Sequence, residues 1–211
     1  MSDDCCAPPT PSVDRRYRKV LWIALILNTL MFGVEVAGSF RSGSVSLLAD
    51  SIDFLGDAAN YGISLVVLGL AITWRARASL IKATSMAAFG TFVLARAVWV
   101  YLHGVVPEPL TMGAIAVLGL LVNVGVALML YRYRTGDSTM RSVWICSRND
   151  ALGNIAVAAA ALGVVGTGRS WPDLVVAIGM AALALSGAWT VSRQALRELS
   201  RSAKYVESVS A

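Results

Sequence analysis

Six long apolar segments, separated by short polar connections, limit what this chain can fold into. They cover about residues 17–40, 46–73, 78–102, 110–131, 140–165 and 172–191. A helix needs about 20 apolar residues to cross the hydrocarbon core of a bilayer. Only 15% of the residues are charged, whereas soluble domains average about 25%. The sequence therefore predicts an all-α membrane protein with six transmembrane helices.

The positive charges predict how these helices are oriented. Most of the 18 lysine and arginine residues lie before the first segment, between the second and third, between the fourth and fifth, or after the sixth. The opposite side has Arg41 and Arg169. Because cytoplasmic loops of membrane proteins carry the excess of basic residues, both termini are expected in the cytoplasm. The net charge of +5 then has a topological origin, and no nucleic-acid partner is expected.

The ends of the chain are expected to be short tails. Residues 1–16 are predicted to form a disordered cytoplasmic tail. Residues 17–199 are predicted to form the six-helix transmembrane domain, and residues 200–211 a short cytoplasmic tail. The first tail contains the pair Cys5-Cys6, which could capture a soft metal, although thiols without a specific role are the alternative. A disulfide between them is not expected in a reducing compartment.

Two carboxylates interrupt the second apolar segment. Asp53 and Asp57 lie near the predicted bilayer centre, where a charged side chain costs roughly 2.5–3.5 kcal/mol. They are four residues apart and so share one face of a helix. Cys146 and Asp150 repeat this spacing at a matching depth in the fifth segment. Two such helices can enclose a four-coordinate cation, although a hydrogen-bonded Asp and a packing Cys are the simpler alternative.

The ligand types indicate which ions such a site would accept. Three carboxylates and one thiolate combine hard and soft donors, which tolerates Zn²⁺ or Cd²⁺ and permits Co²⁺. No prosthetic group is expected. Two further polar residues lie at membrane depth, and we expect Glu35 to pair with Arg96 unless Arg96 extends outward. Asp50 is expected to cap the second helix or to line its outer vestibule.

Further motifs surround these residues. The first segment has an Asn-x3-Phe-x2-Glu-x2-Gly arrangement formed by Asn28, Phe32, Glu35 and Gly38. Residues 43–51 read Gly-Ser-Val-Ser-Leu-Leu-Ala-Asp-Ser, directly before Asp53-x3-Asp57. Together with Asp150, these motifs resemble those of the cation diffusion facilitators, a family of six-helix antiporters that exchange divalent metals for protons. The resemblance covers about residues 17–200.

The resemblance implies an exporter of Zn²⁺, Cd²⁺ or Co²⁺ in the inner membrane of a bacterium. It assigns ion binding to Asp53, Asp57, Asp150 and the position of Cys146, where the family usually has His or Asp. Because of that difference, Asn149, Asn154 or water could supply the fourth ligand. The motif residues Asn28 and Glu35, together with Cys5 and Cys6, are further accessory candidates.

The family also implies partners. Its members usually add a cytoplasmic metal-binding domain that helps to hold a dimer, and this sequence is expected to be a form without that domain. A homodimer through the transmembrane helices is therefore expected, in contact with membrane lipid, metal ions and protons. The alternatives are an intramembrane metal enzyme similar to CDP-alcohol phosphatidyltransferases, and a metal sensor that does not transport. The enzyme pattern requires Asp-x2-Asp-Gly, which Asp53-x3-Asp57 does not match.

Overall fold

Six α-helices account for nearly all of the part of the chain that the structure describes. The computed structural model describes residues 15–66, 72–132 and 138–210, and within them all side chains except those at 66, 72–76, 78, 138–149, 194, 198 and 201–210. The helices are α1 (Arg15–Ser42), α2 (Val45–Val66), α3 (Ile72–His103), α4 (Pro109–Tyr131), α5 (Ser138–Thr167) and α6 (Trp171–Ser210). The predicted all-α architecture is confirmed.

The helices have the dimensions of membrane spans. Within the described residues, five helices are long and apolar enough to cross a bilayer, judged by length and composition. The remaining helix, α2, has 22 residues and carries Asp50, Asp53 and Asp57. Which end of the bundle faces the cytoplasm stays a prediction from the basic residues.

The boundary between the second and third helices differs from the prediction. The second apolar segment was expected to end at Thr73, but Thr73 belongs to α3. The sequence from 61 to 73 contains no charged residue, so hydropathy gives no signal for the end of one helix and the start of the next.

Helix α2 lies at the centre of the bundle. It contacts α1, α3, α5 and α6, and it contributes to all three clusters of buried apolar side chains. Ile52 packs with side chains of α3 and α6, Tyr61 with those of α1 and α4, and Leu47 with those of α4 and α5. Because protein encloses α2 on several sides, its polar groups must find their partners inside the bundle.

Glycine ends three of the helices in the same way. A glycine with a positive φ directly follows α1, α3 and α5; these residues are Gly43 (75°), Gly104 (62°) and Gly168 (62°). The amide of Gly168 donates to Val164 O at 2.8 Å. A residue in this left-handed conformation closes a helix at little steric cost only if it is glycine. The α1–α2, α3–α4 and α5–α6 turns lie at one end of the bundle, because the amide of Glu108 donates to Ser42 O and the hydroxyl of Ser44 donates to Asp173 Oδ1. The charge pattern predicts that this is the outer end.

Glu108 caps α4 at this end. Its carboxylate accepts a hydrogen bond from the amide of Thr111 at 3.1 Å, and Pro109 occupies the first helical position. The hydrogen bond from Thr111 holds the pKa of the Glu108 carboxyl below its ordinary value of 4.5. The amide of Glu108 donates to Ser42 O at 2.7 Å, so the α3–α4 turn is tied to the end of α1.

Candidate metal centre

Asp53 and Asp57 lie on the inner face of α2, as their spacing predicts. Asp57 is buried, with 4% of its surface exposed, and Asp53 is half-buried. The hydroxyl of Tyr61, one turn further along α2, donates to Asp57 Oδ2 at 2.7 Å. Tyr61 is itself fully buried. This bond fixes the orientation of the Asp57 carboxylate, and the i, i+4 spacing from Asp57 is a sequence signal that could have identified Tyr61.

Asp150 reaches the same region from α5. Its carboxyl lies within hydrogen-bonding reach of that of Asp57 and is influenced by the charges of Asp53 and Asp50. The structure therefore brings together one carboxylate of each predicted pair. Across the described residues, no group of three or more His, Cys, Asp or Glu side chains is spaced closely enough to hold a metal ion.

Several sequence-predicted ligands lie outside the side chains that the structure describes. This applies to Cys5 and Cys6 in the first tail and to the side chains of Cys146 and Asn149 in α5. The backbone of α5 does include residues 146 and 149. Of the four predicted ligands, the structure therefore describes the side chains of Asp53, Asp57 and Asp150. The role of the Cys146 thiolate stays a prediction.

Lys82 of α3 lies beside α2, next to Gly56 and Asn60. It is half-buried and its ammonium donates to Asn60 Oδ1 at 2.5 Å. Its positive charge acts on Asp53. Sequence reasoning counted Lys82 only among the basic residues between the second and third helices. In the structure it is part of the electrostatic surroundings of the candidate site.

Glu35 and Asp50 do not have the partners that the sequence suggested. Glu35 is fully buried and makes no hydrogen bond with its carboxylate among the described residues. The guanidinium of Arg96 instead lies over the ring of Trp99, 4.4 Å from its centroid. Of the two predicted arrangements, the Glu35–Arg96 pair is therefore wrong, and the outward extension of Arg96 agrees with the structure. Trp99 lies about one turn further along α3. The Arg96 side chain therefore extends along the helix surface toward the end of α3.

The expected role of Asp50 as a helix cap is also wrong. Asp50 lies in the second turn of α2, is fully buried, and has no hydrogen-bond partner for either carboxylate oxygen among the described side chains and backbone. Its carboxyl instead lies close enough to that of Glu35 for the two charges to interact. A residue one turn past the helix start cannot reach the first free amides of that helix, which is why the capping assignment fails.

The cap of α2 is supplied by Asp173 of α6. This fully buried carboxylate accepts hydrogen bonds from the amides of Val45 and Ser46 at 2.8 and 3.1 Å. It also accepts from the hydroxyls of Ser44 and Ser46, both at 2.7 Å. No local sequence rule predicts this cap, because the acceptor lies about 130 residues along the chain from the amides that it serves.

The two accessory asparagines, Asn28 and Asn154, are fully buried and are bound to their own helices. Asn154 donates to Asp150 O at 3.1 Å, and Asn28 donates to Ala24 O at 2.8 Å. Neither side-chain carbonyl oxygen has a hydrogen-bond partner among the described residues. Both oxygens are thus available to a ligand in the interior of the bundle.

Comparison with known proteins decides the family. A family model described as the cation efflux transmembrane domain matches residues 21–200. The chain belongs to this family. The sequence resemblance to the cation diffusion facilitators is therefore confirmed, and the cation efflux domain is a multi-pass membrane protein.

Three bacterial relatives illustrate the match to the cation efflux family. The zinc transporter ZitB of Escherichia coli (strain K12) is 29% identical over 204 residues, which cover 88% of this chain and 63% of that protein. The "Cadmium, cobalt and zinc/H(+)-K(+) antiporter" of Bacillus velezensis is 26% identical over 198 residues, with coverages of 86% and 63%. The "Metal cation efflux system protein CzcD" of Cupriavidus metallidurans is 25% identical over 194 residues, with coverages of 85% and 60%. The chain spans about three fifths of the length of these relatives.

The names of these relatives bear on the alternatives that the sequence left open. They are transporters and efflux proteins, and the cation efflux family is a family of transporters rather than of enzymes. The matches therefore favour a transporter over a phosphatidyltransferase-like enzyme.

Proposed function

We propose that this cation efflux domain exports a divalent metal ion of the Zn²⁺, Cd²⁺ or Co²⁺ class from the cytoplasm in exchange for protons. The observation that carries the proposal is the meeting of the Asp57 and Asp150 carboxyls, from α2 and α5, inside the helix bundle. Intramembrane carboxylates are costly and mark ion pathways when they cluster. The names of the relatives, which include zinc, cadmium and cobalt transporters, support the choice of ion.

The proposed ligands are Asp53, Asp57, Asp150 and Cys146, with Asn149 as a substitute for the thiolate. Asp57 and Asp150 are already adjacent, and Asp53 is one turn from Asp57. We propose that ion binding draws Asp53 toward the adjacent pair, since a divalent ion offsets the mutual repulsion of three carboxylates. Tyr61 then serves to orient Asp57, because second-shell hydrogen bonds fix ligating carboxylates.

Proton exchange follows from the chemistry of this ligand set. A carboxylate binds either a proton or a metal ion with the same oxygens, so the two compete. Protons that bind on one side of the membrane would displace the metal, and metal that binds on the other side would displace protons. Alternating access to the two sides then couples metal export to proton entry.

The test compares variants that remove a single ligand and keep its shape. Asp57→Asn, Asp150→Asn and Cys146→Ser would be purified, reconstituted into liposomes and assayed for Zn²⁺, Cd²⁺ and Co²⁺ uptake with and without a pH gradient. We expect the two Asp variants to lose transport. Ser39→Ala is the matched control, because the buried Ser39 hydroxyl already donates to Val36 O within its own helix at 2.8 Å.

Each part of the proposal has its own contrary result. Metal uptake by both Asp variants at the rate of the wild-type protein would refute the ligand assignment. Uptake that ignores an imposed pH gradient would refute proton coupling while leaving metal transport in place. Metal binding without any uptake by the wild-type protein would instead indicate the sensor alternative.

A homodimer through the transmembrane helices stays a prediction, which light scattering of the protein in nanodiscs would test.

A further inference from the structure

Glu35 of α1 and Asp50 of α2 form a buried carboxylate pair that the proposed transport site does not use. Both side chains are fully buried, and none of their carboxylate oxygens has a hydrogen-bond partner among the described residues. The two carboxyls lie close enough for the charge of Asp50 to act on Glu35. Buried ionised groups are unfavourable unless they are paired or coordinate a metal. Two adjacent carboxyls that receive no donor from the described structure therefore need either a proton or a cation.

Asn154 of α5 adds a third oxygen from a different helix. Its side chain is fully buried, and its Oδ1 has no partner among the described residues, whereas its amide nitrogen donates to Asp150 O. Gly119 of α4 lies beside both Asn154 and Glu35. A Cβ at Gly119 would overlap Asn154 Oδ1 and come within 2.9 Å of Glu35 Oε1. The two oxygens thus approach the same point on α4, where the missing side chain of residue 119 lets Asn154 Oδ1 pack against the helix backbone.

A second glycine connects this cluster with the proposed transport site. A Cβ at Gly153 of α5 would lie 3.1 Å from Asp50 Oδ1 and 3.6 Å from Asp53 Oδ2. Asp50 and Asp53 therefore approach the same point on α5. Asp50 precedes Asp57 by about 10 Å along the helix axis, at about 1.5 Å per residue. An ion that leaves the transport site toward the α1–α2 turn would meet Asp50 next.

We propose that Glu35, Asp50 and Asn154 form a second binding site for the transported divalent cation, nearer the α1–α2 turn than the ligands of the transport site. The inference rests on the proposed function, because it takes the two sites to bind the same ion in succession. All the side-chain atoms that would coordinate a metal ion in the second site are oxygens, which favour harder cations. The second site therefore favours Co²⁺ or Zn²⁺ over Cd²⁺ more strongly than a site with a thiolate does.

The test counts bound Co²⁺ ions on the purified full chain in nanodiscs by equilibrium dialysis. We expect about two ions per chain in the wild type and about one in Glu35→Gln and Asp50→Asn, since each variant keeps the side-chain shape and removes the charge. Ser39→Ala is the control, because Ser39 is buried one turn from Glu35 and its hydroxyl is satisfied within α1. It should bind as many ions as the wild type.

A second pair of variants keeps the test decisive if the carboxylate variants do not fold. Gly119→Ala displaces the Asn154 carbonyl without changing any charge, whereas Gly125→Ala adds the same methyl group to α4 where no atom lies within 4 Å. We expect Gly119→Ala to lose one Co²⁺ ion and Gly125→Ala to lose none. Equal binding by the two glycine variants would overturn the proposal.

The contrary results separate this inference from the proposed function. A wild-type protein with one bound Co²⁺, unchanged by Glu35→Gln, would overturn the second site and leave Glu35 and Asp50 as two carboxyls that share a proton. Liposome transport by Asp57→Asn is measured in parallel. Loss of transport in Asp57→Asn with an unchanged ion count in Glu35→Gln would refute the second site alone. Wild-type transport by Asp57→Asn would refute the proposed function, whatever the ion count.

Discussion

Replacement of Asp173 tests how firmly the first turn of α2 is held. The first amides of a helix have no acceptor within that helix, and those of Val45 and Ser46 depend on the Asp173 carboxylate. Both residues are fully buried, so water cannot replace the acceptor in Asp173→Ala. The serine hydroxyls can rotate toward each other, since the oxygens of Ser44 and Ser46 lie 3.5 Å apart. The cost of the variant therefore falls mainly on the two amides.

The magnitude follows from those two amides and from the lost charge. A buried donor left without an acceptor costs about 1–3 kcal/mol, so the two amides together cost about 2–6 kcal/mol. Removing an anion from a helix N-terminus adds about 0.5–2 kcal/mol, whereas relief of the desolvation of Asp173 offsets part of the total. We expect Asp173→Ala to lower the free energy of unfolding by about 3–6 kcal/mol. Asp173→Asn keeps one carbonyl oxygen and should cost about half as much.

The assay is equilibrium unfolding of the purified protein in mixed micelles, followed by the loss of helical circular dichroism. Ser39→Ala is again the control, since its hydroxyl bonds within its own helix and its removal should cost less than about 1 kcal/mol. The expected order of destabilisation is Asp173→Ala, then Asp173→Asn, then Ser39→Ala. Asp173→Ala with the same free energy of unfolding as Ser39→Ala would refute the role of Asp173 as the cap of α2.

Two further predictions concern single hydrogen bonds. Tyr61→Phe removes the donor to Asp57 Oδ2 and should weaken Zn²⁺ binding by about 10- to 100-fold; an unchanged dissociation constant in a competition titration would contradict this role. Glu108 has a lowered pKa in the folded protein, so its stabilising effect on α4 is present above its ordinary value of 4.5 and is lost as the pH falls through the folded-state pKa. Hydrogen-exchange protection of the Thr111 amide should decrease over that acidic range in the wild type and not in Glu108→Gln, and the same pH profile in both would contradict the cap.

The sequence was sufficient to predict the elements because their signals are local. Apolar runs of about 20 residues identify helices that cross a bilayer, and i, i+4 spacing placed Asp53 and Asp57 on one face of α2. The same spacing predicted that Asp150 would be brought to Asp57, although four-ligand geometry could not be derived from it. Thr73 was assigned to the second helix although it belongs to α3, since nothing in the composition of an uninterrupted apolar run marks where one helix ends and the next begins.

The contacts that the sequence could not supply are those between distant segments. Asp173 serves amides of another helix, and Glu35 lies against Asp50 rather than Arg96. Which of several buried polar groups become neighbours depends on helix rotation and packing, which hydropathy does not determine. The close approach of Asn154 to Gly119 likewise joins two different helices. Polar placement inside this bundle is therefore a property of the tertiary structure.

The candidate metal ligands Asp57 and Asp150 lie between α2 and α5, two helices that pack mainly on different neighbours. The most extensive contacts join α1 with α2, α3 with α6, and α4 with α5. Asp173 fixes the first turn of α2 to α6, whereas α5 packs mainly on α4 and meets α2 over a smaller area. The Asp57–Asp150 contact therefore spans the weaker boundary. A small displacement of α4 and α5 relative to α2 would change the separation of the metal ligands. The closely packed pairs α1–α2, α3–α6 and α4–α5 would stay intact during that displacement. Metal affinity should therefore be most sensitive to movement at this boundary.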